Sequence, residues 1–151
     1  MFLIRADSRS PVTKTVFRYA RPFLLALWVV LICCVIVGSL LPASSPVILA
    51  IGRLHISFKV LHFCAYTSLA LLALVAIRRR SAALLAALAM VLLGVALEFG
   101  QKLVPGRSCE VRDMFINGTG VAAGIAIGIP GRRITAADKI SPPAAPGTSE
   151  T

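Results

Sequence analysis

The stretch PFLLALWVVLICCVIVGSLL, residues Pro22–Leu41, decides the fold. It contains no charged side chain. At about 1.5 Å per helical residue it is long enough to cross a hydrocarbon core of about 30 Å. Lipid offers the backbone no hydrogen-bond partners, so a crossing segment of this kind must be helical. Pro22 suits a helix start, where its missing N–H would have been unpaired anyway. A cleaved signal peptide fits less well. The segment before the apolar run would occupy residues 1–21, and the run itself exceeds the usual length of about 7–15 residues.

Three further apolar runs follow, Val60–Ile77, Ala82–Leu97 and Met114–Ile129. Each is shorter than about 20 residues, but each borders polar residues that suit the membrane interface. Arg78, Arg79, Arg80 and Ser81 leave room only for a tight turn, which predicts an antiparallel hairpin of the second and third helices. The expected fold is all-α, a polytopic membrane protein built as a bundle of four transmembrane helices. A basic cytoplasmic segment (1–21) precedes the membrane domain (22–130). A disordered cytoplasmic tail rich in Pro, Ala, Ser and Thr (131–151) follows it. The segment Val47–Ile51 is apolar enough to dip into the interface.

Composition agrees. Of 151 residues, 58% are hydrophobic and 15% charged, against roughly 45–50% and 25% in soluble domains. The net charge of +10 raises the question of nucleic acid. The basic residues lie between apolar runs, not along a polar helix, so the expected partner is the lipid bilayer and no nucleic acid.

Those charges also orient the chain. With four spans, Arg5, Arg9, Lys14, Arg18, Arg21, Arg78, Arg79, Arg80, Arg132, Arg133 and Lys139 fall on one side. Arg53, Lys59, Lys102, Arg107 and Arg112 fall on the other. The positive-inside rule then places both termini in the cytoplasm of a multi-pass protein of the cell membrane.

The cysteines carry no site. Cys33, Cys34 and Cys64 lie within apolar runs, where a thiol acts as a small hydrophobe, and Cys109 stands alone in an outer loop. There is no CxxC, no Cys/His metal spacing, no HExxH, no GxSxG and no phosphate loop. No metal and no cofactor is expected.

The polar residues are more informative. Lys59, His62 and Tyr66 are spaced by three and four and so stack on one face of the second helix. Gly94, Glu98 and Gln101 share a face at the outer end of the third. Pro105-Gly106-Arg107 makes a turn bearing a cation. Asp113, Asn117, Gly120, Gly124 and Gly128 form a stripe on the fourth. The topology gathers Lys59, His62, Tyr66, Glu98, Gln101, Arg107, Asp113 and Asn117 in the outer leaflet. Ionisable groups at such depth are costly unless paired, which makes them functional candidates. Plainer roles exist for each. Lys59 can snorkel, Tyr66 can sit at the interface, Asp113 can serve the helix dipole, and Glu98 with Arg107 can form a structural ion pair. The glycines read as a packing stripe, and His55 as a loop residue.

Phe58-Lys59-Val60-Leu61-His62-Phe63-Cys64-Ala65-Tyr66-Thr67-Ser68-Leu69 resembles the Lys-x-x-His-Phe-x-x-Tyr-x-x-Leu signature of VanZ-like bacterial membrane proteins. Glu98-Phe99-Gly100-Gln101, Pro105-Gly106-Arg107 and Asp113-x-x-x-Asn117-x-x-Gly120-x-x-x-Gly124 are similar to that family's second half, in the same order. The resemblance covers roughly Pro22 to Ile129. Phe58 departs from it, since many members carry an acid there. Lys59 then needs another partner, and Glu98 or Asp113 are candidates. The resemblance implies a place in the bacterial inner membrane and cell envelope, and an association with glycopeptide (teicoplanin) antibiotic resistance. It implies no settled reaction.

Two functional expectations follow. In the first, the cluster recognises or processes an anionic, lipid-linked envelope component. Lys59, Tyr66, Gln101, Arg107 and Asn117 would bind it, Arg107 through its planar fork. If a bond is broken, His62 would act as acid or base with Asp113 or Glu98 orienting it. In the second, the protein is not an enzyme, and the cluster stabilises the bundle or meets a partner. A metal hydrolase on His62, Glu98 and Asp113 is disfavoured, because only one histidine belongs to the group. A transporter is weak too, for want of an inverted repeat.

Overall fold

The computed structural model describes residues 11–137, with side chains described over residues 20–130. All elements among them are helices: α1 (Pro11–Leu40), α2 (Pro46–Arg53), α3 (Phe58–Ala76), α4 (Arg80–Gln101) and α5 (Val111–Ala137). The all-α expectation holds. The basic segment 1–10 and the tail beyond residue 137 lie outside the described residues.

Two boundaries differ from expectation. Pro22 lies inside α1, which begins at Pro11. The proline that opens the helix is Pro11, eleven residues earlier, where a first-position proline serves the purpose expected of Pro22. At the other end α5 continues through Pro130 to Ala137, past the expected boundary at residue 130.

Three helices are long and apolar enough to cross a membrane: Ala20–Leu40 of α1, α3 and α4. Their outward faces are apolar. Phe23, Leu85 and Leu92 are each at least 69% exposed, which suits lipid and would be costly in water. Cys33, Cys34 and Cys64 are exposed on these same faces and not buried in the bundle. In α5, Asp113, Asn117 and the glycines dilute the apolar content, and it does not meet the same standard.

The direction of each helix follows from its contacts. Trp28 Nε1, early in the span of α1, donates to the Leu69 carbonyl in the second half of α3 at 2.9 Å. Those helices are therefore antiparallel. The short connection at Ile77–Arg79 returns α4 beside α3, as the three-arginine turn predicts. Along α5, Gly120 faces Phe63 and Tyr66, Gly124 faces Thr67 and Ala70, and Gly128 faces Leu71 and Leu74. Rising numbers meet rising numbers, so α5 runs parallel to α3. This is the most extensive helix pair in the molecule. A Cβ at Gly120 would stand 2.7 Å from the Phe63 carbonyl oxygen, and one at Gly124 would overlap that of Thr67. Where no hydrophobic force drives helices together, such close backbone approach holds them. The core beneath is Tyr66, Leu69, Ala70, Ala73, Ala87, Met90 and Val121.

The apolar segment Val47–Ile51 is part of α2. Ser45 caps that helix by accepting from Ile48 N–H at 3.4 Å, and Pro46 follows in the first turn. Ile48 is buried, while Val47 and Leu49 are exposed. His55 ends the turn after it in a left-handed conformation (φ 54°). His55 lies in the loop, as expected, and also lines a cleft described below.

This arrangement puts the end of α1, all of α2, the start of α3, the end of α4 and the start of α5 at one end of the bundle. The polar residues collect there.

Candidate functional site

A cleft of about 440 Å³ opens at that end. Its walls include Lys59, His62, Gln101, Arg107, Glu110 and Asp113. Five of the eight residues singled out from sequence thus line one cavity. Tyr66, Glu98 and Asn117 lie deeper and are each at most 2% exposed.

The deep layer is built from three helices. On α3, the 62–66 step carries the chain from cleft to core, so His62 is half-buried while Tyr66 is enclosed. Gly94 of α4 makes the room. A Cβ there would come within 3.2 Å of both the Tyr66 ring and Asn117. Gly94, Glu98 and Gln101 are all buried, as their shared helical face predicts. His62 Nδ1 lies 3.2 Å from Asn117 Oδ1. An amide oxygen only accepts, so in this contact Nδ1 is the donor and Nε2 is the ring nitrogen not engaged by Asn117.

Glu98 is buried, and its Oε2 accepts the Glu110 backbone N–H at 3.2 Å. Glu110 immediately precedes α5, so the buried carboxylate meets the positive end of that helix. Asp113, in the first turn of α5, points a second carboxylate into the same place. Its Oδ1 is buried without a hydrogen-bond partner. One ligand atom each from His62, Glu98 and Asp113 lie within 4.8 Å of one another.

Arg107 is committed elsewhere. Its Nε donates to the Leu41 carbonyl at 3.1 Å and its Nη2 to the Gly38 carbonyl at 3.2 Å. These carbonyls close α1, and a C-terminal helix end attracts a cation. The guanidinium also lies 5.9 Å from the Phe58 ring centroid. Phe58 thus supports the arginine by cation–π contact at the position where an acid was the other choice. Glu98 and Arg107 each find a backbone partner in place of the ion pair open in the sequence. Lys59 is exposed on the cleft wall. Gly106 (φ 74°) makes the turn that delivers Arg107, close against Ala43.

Glu110 was missed. It belongs to no helical stripe, and it joins the site through its main chain as much as its side chain. The acidic pair Glu110 and Asp113 flanking a helix start was the available signal. A second, more apolar cleft of about 680 Å³ adjoins the first, lined by Ile48, Leu49, Phe58 and Arg53 among others. The two share Gly52, Phe58, Gly106 and Arg107.

A helical membrane protein with a polar cleft cut into one end of its bundle is the class these features define. The chain belongs to the VanZ/LLP1 family, whose model matches residues 22–131. No curated protein and no solved structure matches it significantly.

Proposed function

We propose that the chain is a four-span protein of the bacterial inner membrane, with both termini in the cytoplasm, and that its polar cleft binds an anionic, lipid-linked component of the cell envelope from the outer side. The observation that carries this reading is the shared wall of the two clefts. A polar cavity bearing Lys59, His62 and Gln101 adjoins an apolar one bearing Ile48 and Leu49, with Phe58 lining both. An amphiphile needs those two environments side by side. The parallel packing of α5 along α3 supports a fourth crossing, because a helix that tracks a spanning neighbour through its length shares its depth. The loop charges support the orientation.

Lys59, exposed on the cleft wall, is a cation that can meet a phosphate as a point charge, and Gln101 adds an amide. Arg107, held to α1 through Nε and Nη2, acts first as a brace for the cleft wall. His62 is placed for proton transfer, at the cleft wall with the carboxylates of Glu98 and Asp113 nearby. The association of the family with teicoplanin resistance fits an envelope ligand of this chemistry.

A specific observation favours a second reading. Tyr66, Glu98 and Asn117 are buried and support the helix packing, so the cluster would then serve only to stabilise the bundle or present a partner surface. Native mass spectrometry separates the two. Metal-stripped wild type should retain an anionic phospholipid or lipid-linked phosphate, and Lys59→Gln should lose it at unchanged thermal stability. Equal lipid retention by both proteins would contradict the binding role.

A further inference from the structure

We propose that His62, Glu98 and Asp113 form a binding site for one divalent transition-metal cation, of the Zn²⁺ or Mn²⁺ class, at the floor of the polar cleft. The sequence spoke against a metal because only one histidine belongs to the group. The structure supplies the missing element, which is convergence from three helices.

Each of α3, α4 and α5 contributes one ligand atom, and the three atoms lie within 4.8 Å of one another. Donors around a common ion at about 2.0–2.2 Å sit no more than about 4.4 Å apart. Small rotations of the three side chains close the set. Two independent features point to a cation. First, Asp113 Oδ1 is buried with no hydrogen-bond donor. A carboxylate oxygen shut away from water is costly unless something positive meets it. The nearby cations do not serve: Arg107 is held by the α1 carbonyls and Lys59 is exposed. Second, His62 is oriented as a ligating histidine is. Its Nδ1 lies 3.2 Å from Asn117 Oδ1, and an acceptor at that place is the outer partner that steadies a ring whose Nε2 binds a metal. Glu98 is steadied in turn by the Glu110 N–H.

One imidazole with two carboxylates suits zinc or manganese better than calcium or magnesium, which prefer all-oxygen shells. Three protein ligands leave open positions facing the cleft, as in metal sites that bind exchangeable ligands. A bound cation would there present positive charge to the phosphate of an anionic amphiphile. The site thus rests on the cleft described above, but it does not depend on the ligand being a lipid.

The test uses the full chain, purified without a histidine tag, stripped with EDTA and dialysed against Zn²⁺ in phosphate-free buffer without added lipid. Metal is counted by mass spectrometry, and Co²⁺ substitution gives a visible spectrum. Wild type should hold one equivalent per chain. Asp113→Asn and His62→Ala should each weaken binding at least tenfold, whereas His55→Ala and Cys109→Ser should not change it. Asp113→Asn nearly preserves shape, and its metal-free melting temperature should match that of wild type. Absence of a stoichiometric cation in wild type, or equal affinity in Asp113→Asn and His62→Ala, would overturn the site. That failure would leave the lipid reading standing, since lipid retention is measured on metal-stripped protein.

Discussion

The carboxylate of Glu98 on α4 accepts the backbone N–H of Glu110 at 3.2 Å, so the end of one helix is bonded to the start of the next across the Lys102–Cys109 loop. The carboxyl group is buried, and the helix start gives it a partner. Glu98→Gln keeps an accepting oxygen and should preserve this contact. Glu98→Ala strands the N–H and should cost about 1–3 kcal/mol. Hydrogen exchange at the Glu110 amide checks this: exchange should speed up in the alanine variant and change little in the glutamine variant.

Arg107 performs the equivalent task for α1. Its Nε and Nη2 hold two carbonyls at the α1 end. Hydrogen bonds from a charged donor contribute about 1.5–3 kcal/mol. Arg107→Ala should lower stability by about that amount, read in a denaturant titration in detergent. Arg107→Lys should recover only part of the loss, because a point ammonium lacks the fork that spans two carbonyls.

The α3–α5 seam predicts opposite outcomes for two glycines on one helix. At Gly124 a Cβ would overlap the Thr67 carbonyl oxygen and stand 2.8 Å from the Ala70 Cβ. Gly124→Ala should destabilise by about 1–3 kcal/mol through overpacking. At Gly118 nothing lies within 4 Å, and Gly118→Ala should stabilise by up to about 1 kcal/mol, because alanine favours the helix over glycine. Thermal unfolding of the two purified variants makes the comparison.

The membrane character of the chain was legible in Pro22–Leu41 alone, because span length and absence of charge are local properties. The hairpin at Arg78–Arg80 was legible for the same reason, and so was the buried face shared by Gly94, Glu98 and Gln101. Arg107 shows where such reading stops. Its partners Leu41 and Gly38 lie 66 and 69 residues away, and no periodicity reports which cation will close a distant helix. Tyr66 shows a subtler limit. It shares a helical face with Lys59, but two turns deeper the same face is core instead of cleft. The expected four-span topology placed His62, Glu98 and Asp113 in one leaflet, but their approach to within 4.8 Å depends on how α3, α4 and α5 pack, which spacing within each helix does not encode. Ser45-Pro46 did announce α2, through a cap and a first-turn proline, to a reader looking for helix starts.

The envelope-ligand reading of the cleft depends on its facing outward from a bundle that crosses the membrane. Cys109 reports on this directly, since it lies between Ser108 and Glu110 of the cleft wall. In a Cys33→Ser, Cys34→Ser, Cys64→Ser background, intact cells would be treated with a membrane-impermeant maleimide. Labelling of Cys109 in sealed cells, unchanged by permeabilisation, is the expected result. Labelling only after the inner membrane is opened would place the cleft on the cytoplasmic side and contradict the proposed orientation.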